Sequence, residues 1–154
     1  LIFTEGEPDG LWPTTPDRRQ HSRRSLYLFN KRNVRLPLLE AFDQPDTLTS
    51  CPVRPVSTFA PQALILLNGP FLQGQAKALA ARLAREAGPA AADRVGRAYR
   101  LALGRPPRPA ELRLALDFLA GQAELLRDRP DAGRASLADF CLALLNCNEF
   151  LYVE

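Results

Sequence analysis

From about residue 61 onward, apolar side chains return every three or four positions, the pattern of helices that bury one face. Ala76, Leu79, Ala80, Leu83 and Ala87 form one stripe, with Lys77, Arg82, Arg85 and Glu86 on the opposite face. That spacing predicts a helix over about 71–87, broken by Gly88-Pro89. Val95, Ala98, Tyr99 and Ala102 predict a helix over about 91–103. Asp93 lies in its first turn, where the helix dipole favours a carboxylate, and Gly104 ends it. Leu112, Ala115, Leu116, Leu119, Ala123 and Leu126 mark a helix that starts at Pro109-Ala110-Glu111. After a loop over 128–134, Ser136-Leu137-Ala138-Asp139 has the form of a capping box. The helix it opens would bury Leu137, Phe140, Cys141, Leu144 and Leu145. Ahead of these, Ser57 or Thr58 can cap a helix with Pro61 in its first turn. That helix runs through Leu67, and Gly69 suits a left-handed cap. The apolar tail Phe150-Leu151-Tyr152-Val153 is expected to pack back on the core.

The first sixty residues read differently. They are rich in Pro, Arg, Thr and Asp and show little helical periodicity. Ser25-Leu26-Tyr27-Leu28-Phe29 is the one strand candidate, being short, aromatic and aliphatic. Leu36 to Phe42 predicts a short helix with Pro37 in its first turn, stopped by Asp43, Pro45 and Asp46. Residues 47–58 read as extended, since Pro52 and Pro55 forbid helix. The expected architecture is mainly α: about five amphipathic helices after an extended, loop-rich N-terminal segment with one short strand. Residues 1–60 form a basic segment packing on the helical part, and residues 61–154 form the helical domain.

The composition changes this picture little. The 154 residues suit one domain. A 46% hydrophobic and 24% charged content is that of an ordinary globular chain, not a low-complexity tail. The chain has no methionine and opens Leu1-Ile2-Phe3, so translation is expected to begin upstream, making this the C-terminal piece of a larger protein. The formal net charge is +3, nearly all of the positive charge being arginine. Arginine excess suits phosphate or carboxylate binding, but abundant Ala, Gly and Pro also point to a GC-rich genome. No run approaches the ~20 apolar residues of a membrane helix.

Candidate chemistry is sparse. The three cysteines form no CxxC or Cys/His cluster, so neither a zinc nor an iron–sulfur site is expected. Cys141 and Cys147 lie six apart on one predicted helix and point to different sides, which excludes a disulfide there. The single histidine, His21, stands in a basic loop and lacks the partners of a catalytic triad. Glu40, Asp43 and Asp46 cluster at a helix end, where such residues commonly act as turns and caps. The arginine run from Arg18 to Arg35 is a candidate for anion or nucleic-acid binding. Flanking carboxylates and the absence of any recognition motif weigh against nucleic acid. The most unusual polar features are Asn68-Gly69-Pro70-Phe71 and Asn146-Cys147-Asn148-Glu149-Phe150, which both end helices and both join Asn to a following Phe.

Several of these segments occur in a telling order. They are Arg23-Arg24-Ser25-Leu26-Tyr27, Leu38-Leu39-Glu40-Ala41-Phe42-Asp43-Gln44-Pro45-Asp46, Gln62-Ala63-Leu64 through Leu67-Asn68-Gly69-Pro70-Phe71, Ala98-Tyr99-Arg100-Leu101-Ala102-Leu103-Gly104-Arg105-Pro106-Pro107, and Leu144 through Val153. Together they resemble the planctomycete-specific C-terminal domain catalogued as domain of unknown function fifteen fifty-three. The resemblance spans about His21 to Glu154. It implies a large exported protein, periplasmic or on the cell surface, with a cytochrome-c-like haem domain upstream. Any haem would then be bound upstream, and no cofactor or metal is expected in this chain. The family carries no established activity, so resemblance assigns no catalytic residue. It commonly has Asp where Gly69 stands and Ser where Cys147 stands. The leading expectation is a non-catalytic structural or interaction module whose partners are the upstream domains. A rival places Arg23, Arg24, Asp43, Asn68, Asn148 and Glu149 in a site shared with those domains, for polysaccharide degradation or redox chemistry. A third expectation is anion or nucleic-acid binding through the arginines.

Overall fold

A computed structural model describes residues 15–27, 36–45, 50–53 and 60–152. Among them the architecture is all α, with no strand. The chain divides into two compact units, Leu1–Ile65 and Leu66–Glu154, so the boundary falls inside one helix.

In the first unit, two short 3-10 helices, Arg18–Ser22 and Ser25–Tyr27, precede α1, Pro37–Ala41. The strand expected from Ser25 is therefore a correction. The Tyr27 N–H bonds back to the Arg24 carbonyl at 3.0 Å, and Leu26 and Tyr27 are exposed. A β-rich composition does not make a strand without an edge to pair with. Leu28 and Phe29 lie outside the described residues, as do the proposed caps Ser57 and Thr58. Helix α1 ends as its sequence foretells, by a specific device. Asp43 takes the left-handed conformation (φ 57°), its N–H bonds Glu40 O, and the Gln44 N–H reaches Leu39 O. This is a Schellman closure with an aspartate where glycine is usual. Buried Gln62, on α2 (Ala60–Asn68), donates from Nε2 to Ala41 O at 2.9 Å, satisfying another carbonyl of the α1 end.

The second unit contains α3 (Pro70–Glu86), α4 (Ala91–Leu103), α5 (Pro109–Leu125), α6 (Ala132–Leu145) and α7 (Asn148–Leu151). Its core is the seam between α3 and α6, the most extensive pairing among the described helices. Helix α3 presents Leu72, Ala76, Ala80 and Leu83 to the interior. The two alanines, 2% and 1% exposed, let the helix axes approach closely. Helix α6 answers with the predicted stripe of Leu137, Phe140, Cys141, Leu144 and Leu145, all buried. Val95 and Ala98 of α4 close the core from the side. Helix α5 lies against α4 and α6, and α7 against α4 and α6.

Two helix ends differ from expectation. Gly69 is extended (φ −69°, ψ 132°) and precedes α3 instead of closing α2 in a left-handed turn; Pro70 occupies the first helical position, where its missing N–H costs nothing. Helix α6 begins a turn before Ser136, because the Asp131 carbonyl accepts the N–H groups of Arg134 and Ala135. Ser136 is buried and donates from Oγ to Leu119 O of α5 at 3.0 Å, while Asp139 accepts from Gln122 Nε2 at 2.9 Å. The capping-box pair thus ties α6 to α5. Asn146 ends α6 without a left-handed turn, its Nδ2 donating to Leu142 O at 2.8 Å. The left-handed Gly104 (φ 70°) closes α4 as expected.

Candidate functional site

Two features of the second unit concentrate unusual chemistry, one ionic and one apolar. The ionic one is built by the α4–α5 connector. Gly104 turns the chain out of α4, and Pro106 and Pro107 keep the next residues extended. Arg108 then precedes α5, and its N–H donates to Glu111 Oε2 at 2.6 Å. Glu111 thus holds the third position of the helix, where a carboxylate reaches back to the helix start. Arg105 meets Glu111 as a fork, Nη1 to Oε2 and Nη2 to Oε1, each at 2.8 Å. From the other end of the unit, Glu149 of α7 forms a second fork, accepting from Nε and Nη2 at 2.6 Å each. Nη1 also donates to Pro106 O at 3.1 Å. An arginine side chain has five N–H donors, and these five bonds use them all.

The electrostatics follow from that geometry. Hydrogen bonds from Arg105, then from the Arg108 backbone, hold Glu111 down at a pKa of about 2. Glu149 is likewise lowered, chiefly by Arg105, and Arg105 is held firmly protonated by Glu111 and Glu149. The guanidinium carbon lies 5.6 Å from the centroid of the Tyr99 ring, at the edge of cation–π range. Burial, with Glu111 adding to it, pushes the Tyr99 hydroxyl above its usual range. A bidentate arginine with two carboxylates and no spare donor is a clasp: it joins α4, α5 and α7 and has nothing left to offer a substrate.

The apolar feature is a groove of about 470 Å³. Its floor and walls come from α3, α4, α6 and α7, with Leu72, Leu79, Leu101 and Leu145 inside and Phe71 and Phe150 at its margin. Both phenylalanines remain about 40% exposed. Along α3 the exposed lining positions are 71, 75, 78 and 82, the helical spacing of one face. They span roughly 16 Å at 1.5 Å per residue. Arg82 stands at the far end. Its Nε donates to Glu86 Oε1 at 2.7 Å, and Glu86 Oε2 accepts from Arg97 Nη2 at 2.7 Å. Two arginines therefore share one carboxylate, which Arg97 and then Arg82 hold below its ordinary pKa. A second cleft of about 510 Å³, between α3 and α6, is charged instead, with Lys77, Arg129 and Arg134 facing Asp131 and Asp139.

The residues singled out from sequence distribute as follows. Glu149 joins the Arg105 clasp, and Asn148 precedes it at the start of α7, where its carbonyl accepts the Tyr152 N–H at 2.9 Å. Asn68 is the last residue of α2 and is exposed. Asp43 is the left-handed residue after α1. Arg23 stacks over Tyr27, 4.7 Å from the ring centroid, and neighbouring Arg24 is exposed. His21 bonds Thr15 O through Nε2 at 2.8 Å. Cys141 is buried and its thiol is pushed up to about 12 by that burial, whereas Cys51 is exposed. No group of three or more His, Cys, Asp or Glu able to hold a metal ion occurs among the described residues. None of their helices is long and apolar enough to cross a membrane.

Sequence reasoning passed over Arg105, Glu111, Phe71 and Phe150. A signal existed for Glu111, three residues after the helix-capping position, where a capping-box carboxylate belongs. The two Asn-to-Phe segments also held a signal: their phenylalanines, more than the asparagines, come together on one groove.

A scan against protein-family models matches PSD1, protein of unknown function (DUF1553), over residues 5–119. Neither a search of curated proteins nor one of solved structures returns a match. The matched span is well over half of the 154 residues and includes the first clasp partners Arg105 and Glu111. The chain therefore belongs to the PSD1 (DUF1553) family of proteins of unknown function.

Proposed function

We propose that this chain is a non-catalytic interaction module of a larger exported protein, and that it holds neighbouring domains of that protein through the α3–α4 groove. The observation that carries this reading is the contrast between the two features of the second unit. The strongest polar cluster has every Arg105 donor used by its own members, while the apolar groove leaves two large aromatic side chains partly in solvent. Exposed aromatic side chains beside a concave apolar surface are what docking surfaces use. The exported setting and a haem-bearing domain upstream are what the motif resemblance implies. Polysaccharide is a candidate substrate of the whole protein, not of this module.

The test has two parts. The coding region ahead of Leu1 is sequenced, and any domains it encodes are produced separately from this chain. Calorimetric titration of one into the other should show association that Phe71→Ala weakens. No association, or turnover of glycans or redox substrates by the isolated chain, would overturn the proposal.

A further inference from the structure

We infer that the occupant of the α3–α4 groove is an acidic amphipathic helix, seated along α3 with its carboxylates toward Arg82. This rests on the docking role proposed above and adds the chemistry of the partner.

Three observations select that occupant. The first is shape. The lining follows α3 from Phe71 to Arg82, roughly 16 Å of helix, with Leu101, Ala102, Leu145 and Phe150 completing it. An open apolar groove that follows a helix for that length accepts the apolar stripe of a second helix laid over it.

The second is register. The exposed α3 lining positions are 71, 75, 78 and 82, with Leu72 and Leu79 set between them, so the relief of this face recurs at helical spacing. A facing helix with Leu or Phe at i, i+4 and i+7 places its side chains in step with that relief, ridges into grooves.

The third is charge. Arg82 lines the groove at one end, and among the described residues its one hydrogen bond is that from Nε to Glu86. Glu86 is shared with Arg97, so this end carries two guanidinium groups against one carboxylate. A carboxylate on the occupant beside Arg82 would balance that excess, and the Nη groups of Arg82 make no hydrogen bond among the described residues. A neutral occupant would leave the arginine half-used, and a basic one would be repelled.

The test uses the full chain and synthetic peptides. Fifteen-residue helices of Ala and Gln carry Leu at positions 4, 8 and 11. Paired Glu on the first turn in one peptide and on the last turn in another covers both orientations. Matched peptides carry Gln or Lys instead of Glu, and a scrambled peptide breaks the stripe. Binding is followed by fluorescence anisotropy and by amide shifts in NMR spectra. One Glu peptide should bind at least tenfold tighter than its Lys and scrambled counterparts, shifting amides of α3 and α4. Phe71→Ala, on a side chain 39% exposed, should weaken it at least fivefold while the circular dichroism spectrum stays that of the parent chain. Arg82→Gln should remove the preference for Glu over Gln, and Arg82→Glu should transfer the preference to the Lys peptide. Equal binding of Glu and Lys peptides would overturn the inference, as would shifts confined to another face. Dodecanoate binding in the groove with no peptide binding would overturn it in favour of an acyl carboxylate. Failure of every peptide, with the neighbouring domains still associating, would refute the partner chemistry alone. Loss of that association too would refute the docking role.

Discussion

Replacing Leu83 by alanine probes whether the α3–α6 seam is the core of the second unit. Leu83 has no exposed surface at all, and it lies one turn beyond Ala80 on the buried stripe of α3. The substitution deletes three carbon atoms, worth about 2.4 kcal/mol at ~0.8 kcal/mol per buried methylene. A cavity remains, because the core of this unit, with Val95, Ala98 and Cys141 fully buried, has little freedom to collapse. Measured Leu→Ala costs at such sites run from ~2.7 to 5 kcal/mol, so about 3.5 kcal/mol is expected here. Alanine's better helix propensity returns only about 0.2 kcal/mol. Against a typical total stability of ~5–15 kcal/mol this is severe, and the melting temperature should fall by more than about 10 °C. Leu114→Ala in α5 is the control, since that side chain is 71% exposed and its loss should change stability by less than about 0.5 kcal/mol. Urea unfolding followed by circular dichroism at 222 nm measures both, provided the denaturant slope stays constant. A Leu83→Ala loss under about 1 kcal/mol, or one no larger than that of Leu114→Ala, would refute the placement of the core.

Three further outcomes are expected. Glu111 has its folded pKa depressed to about 2 from an ordinary 4.5, so its clasp stabilises the fold fully above the ordinary value and loses that contribution as pH falls toward 2. Glu111→Gln should therefore flatten the acid limb of a pH–stability curve between those values, and an unchanged limb would argue against the clasp. Gly104→Ala puts a Cβ on a left-handed residue with open space around it, so backbone strain alone should cost about 1 kcal/mol in urea unfolding. Timed reaction with Ellman's reagent at pH 8 should modify Cys51 at once and Cys141 only on unfolding, because burial holds its thiol near 12. Rapid native-state labelling of Cys141 would contradict the packing of α6.

The parts of this fold legible in the sequence are those written in near-neighbour spacing. Helix α4 was readable residue by residue, since an apolar stripe with a carboxylate at its start and a glycine at its end leaves one solution. The buried face of α6 was equally plain. Where one residue type can serve two purposes, pattern fails. Ser136 and Asp139 look like a helix cap, yet the same hydroxyl and carboxylate suit a bond to a neighbouring helix, and only the position of α5 decides between them. Ser25–Tyr27 shows the same limit for strands, whose pairing partner is never in the local sequence. The clasp was half visible. Glu149 stood out as an odd polar residue in an apolar tail, but its arginine lies 44 residues away and reads as part of a loop. The groove was missed because Phe71 and Phe150 look like core residues, and nothing local says that they stay in solvent.

The pairing of α3 with α6 also separates two boundaries that are easily equated. The family match stops at residue 119, inside α5, whereas the helix that covers Leu72, Ala76, Ala80 and Leu83 begins at Ala132. The matched stretch by itself is thus not a cooperative unit. A polypeptide trimmed to the match would carry α3 with its inner face bare and would be expected to aggregate, so expression boundaries for this chain are better drawn after α7 than at the edge of the match.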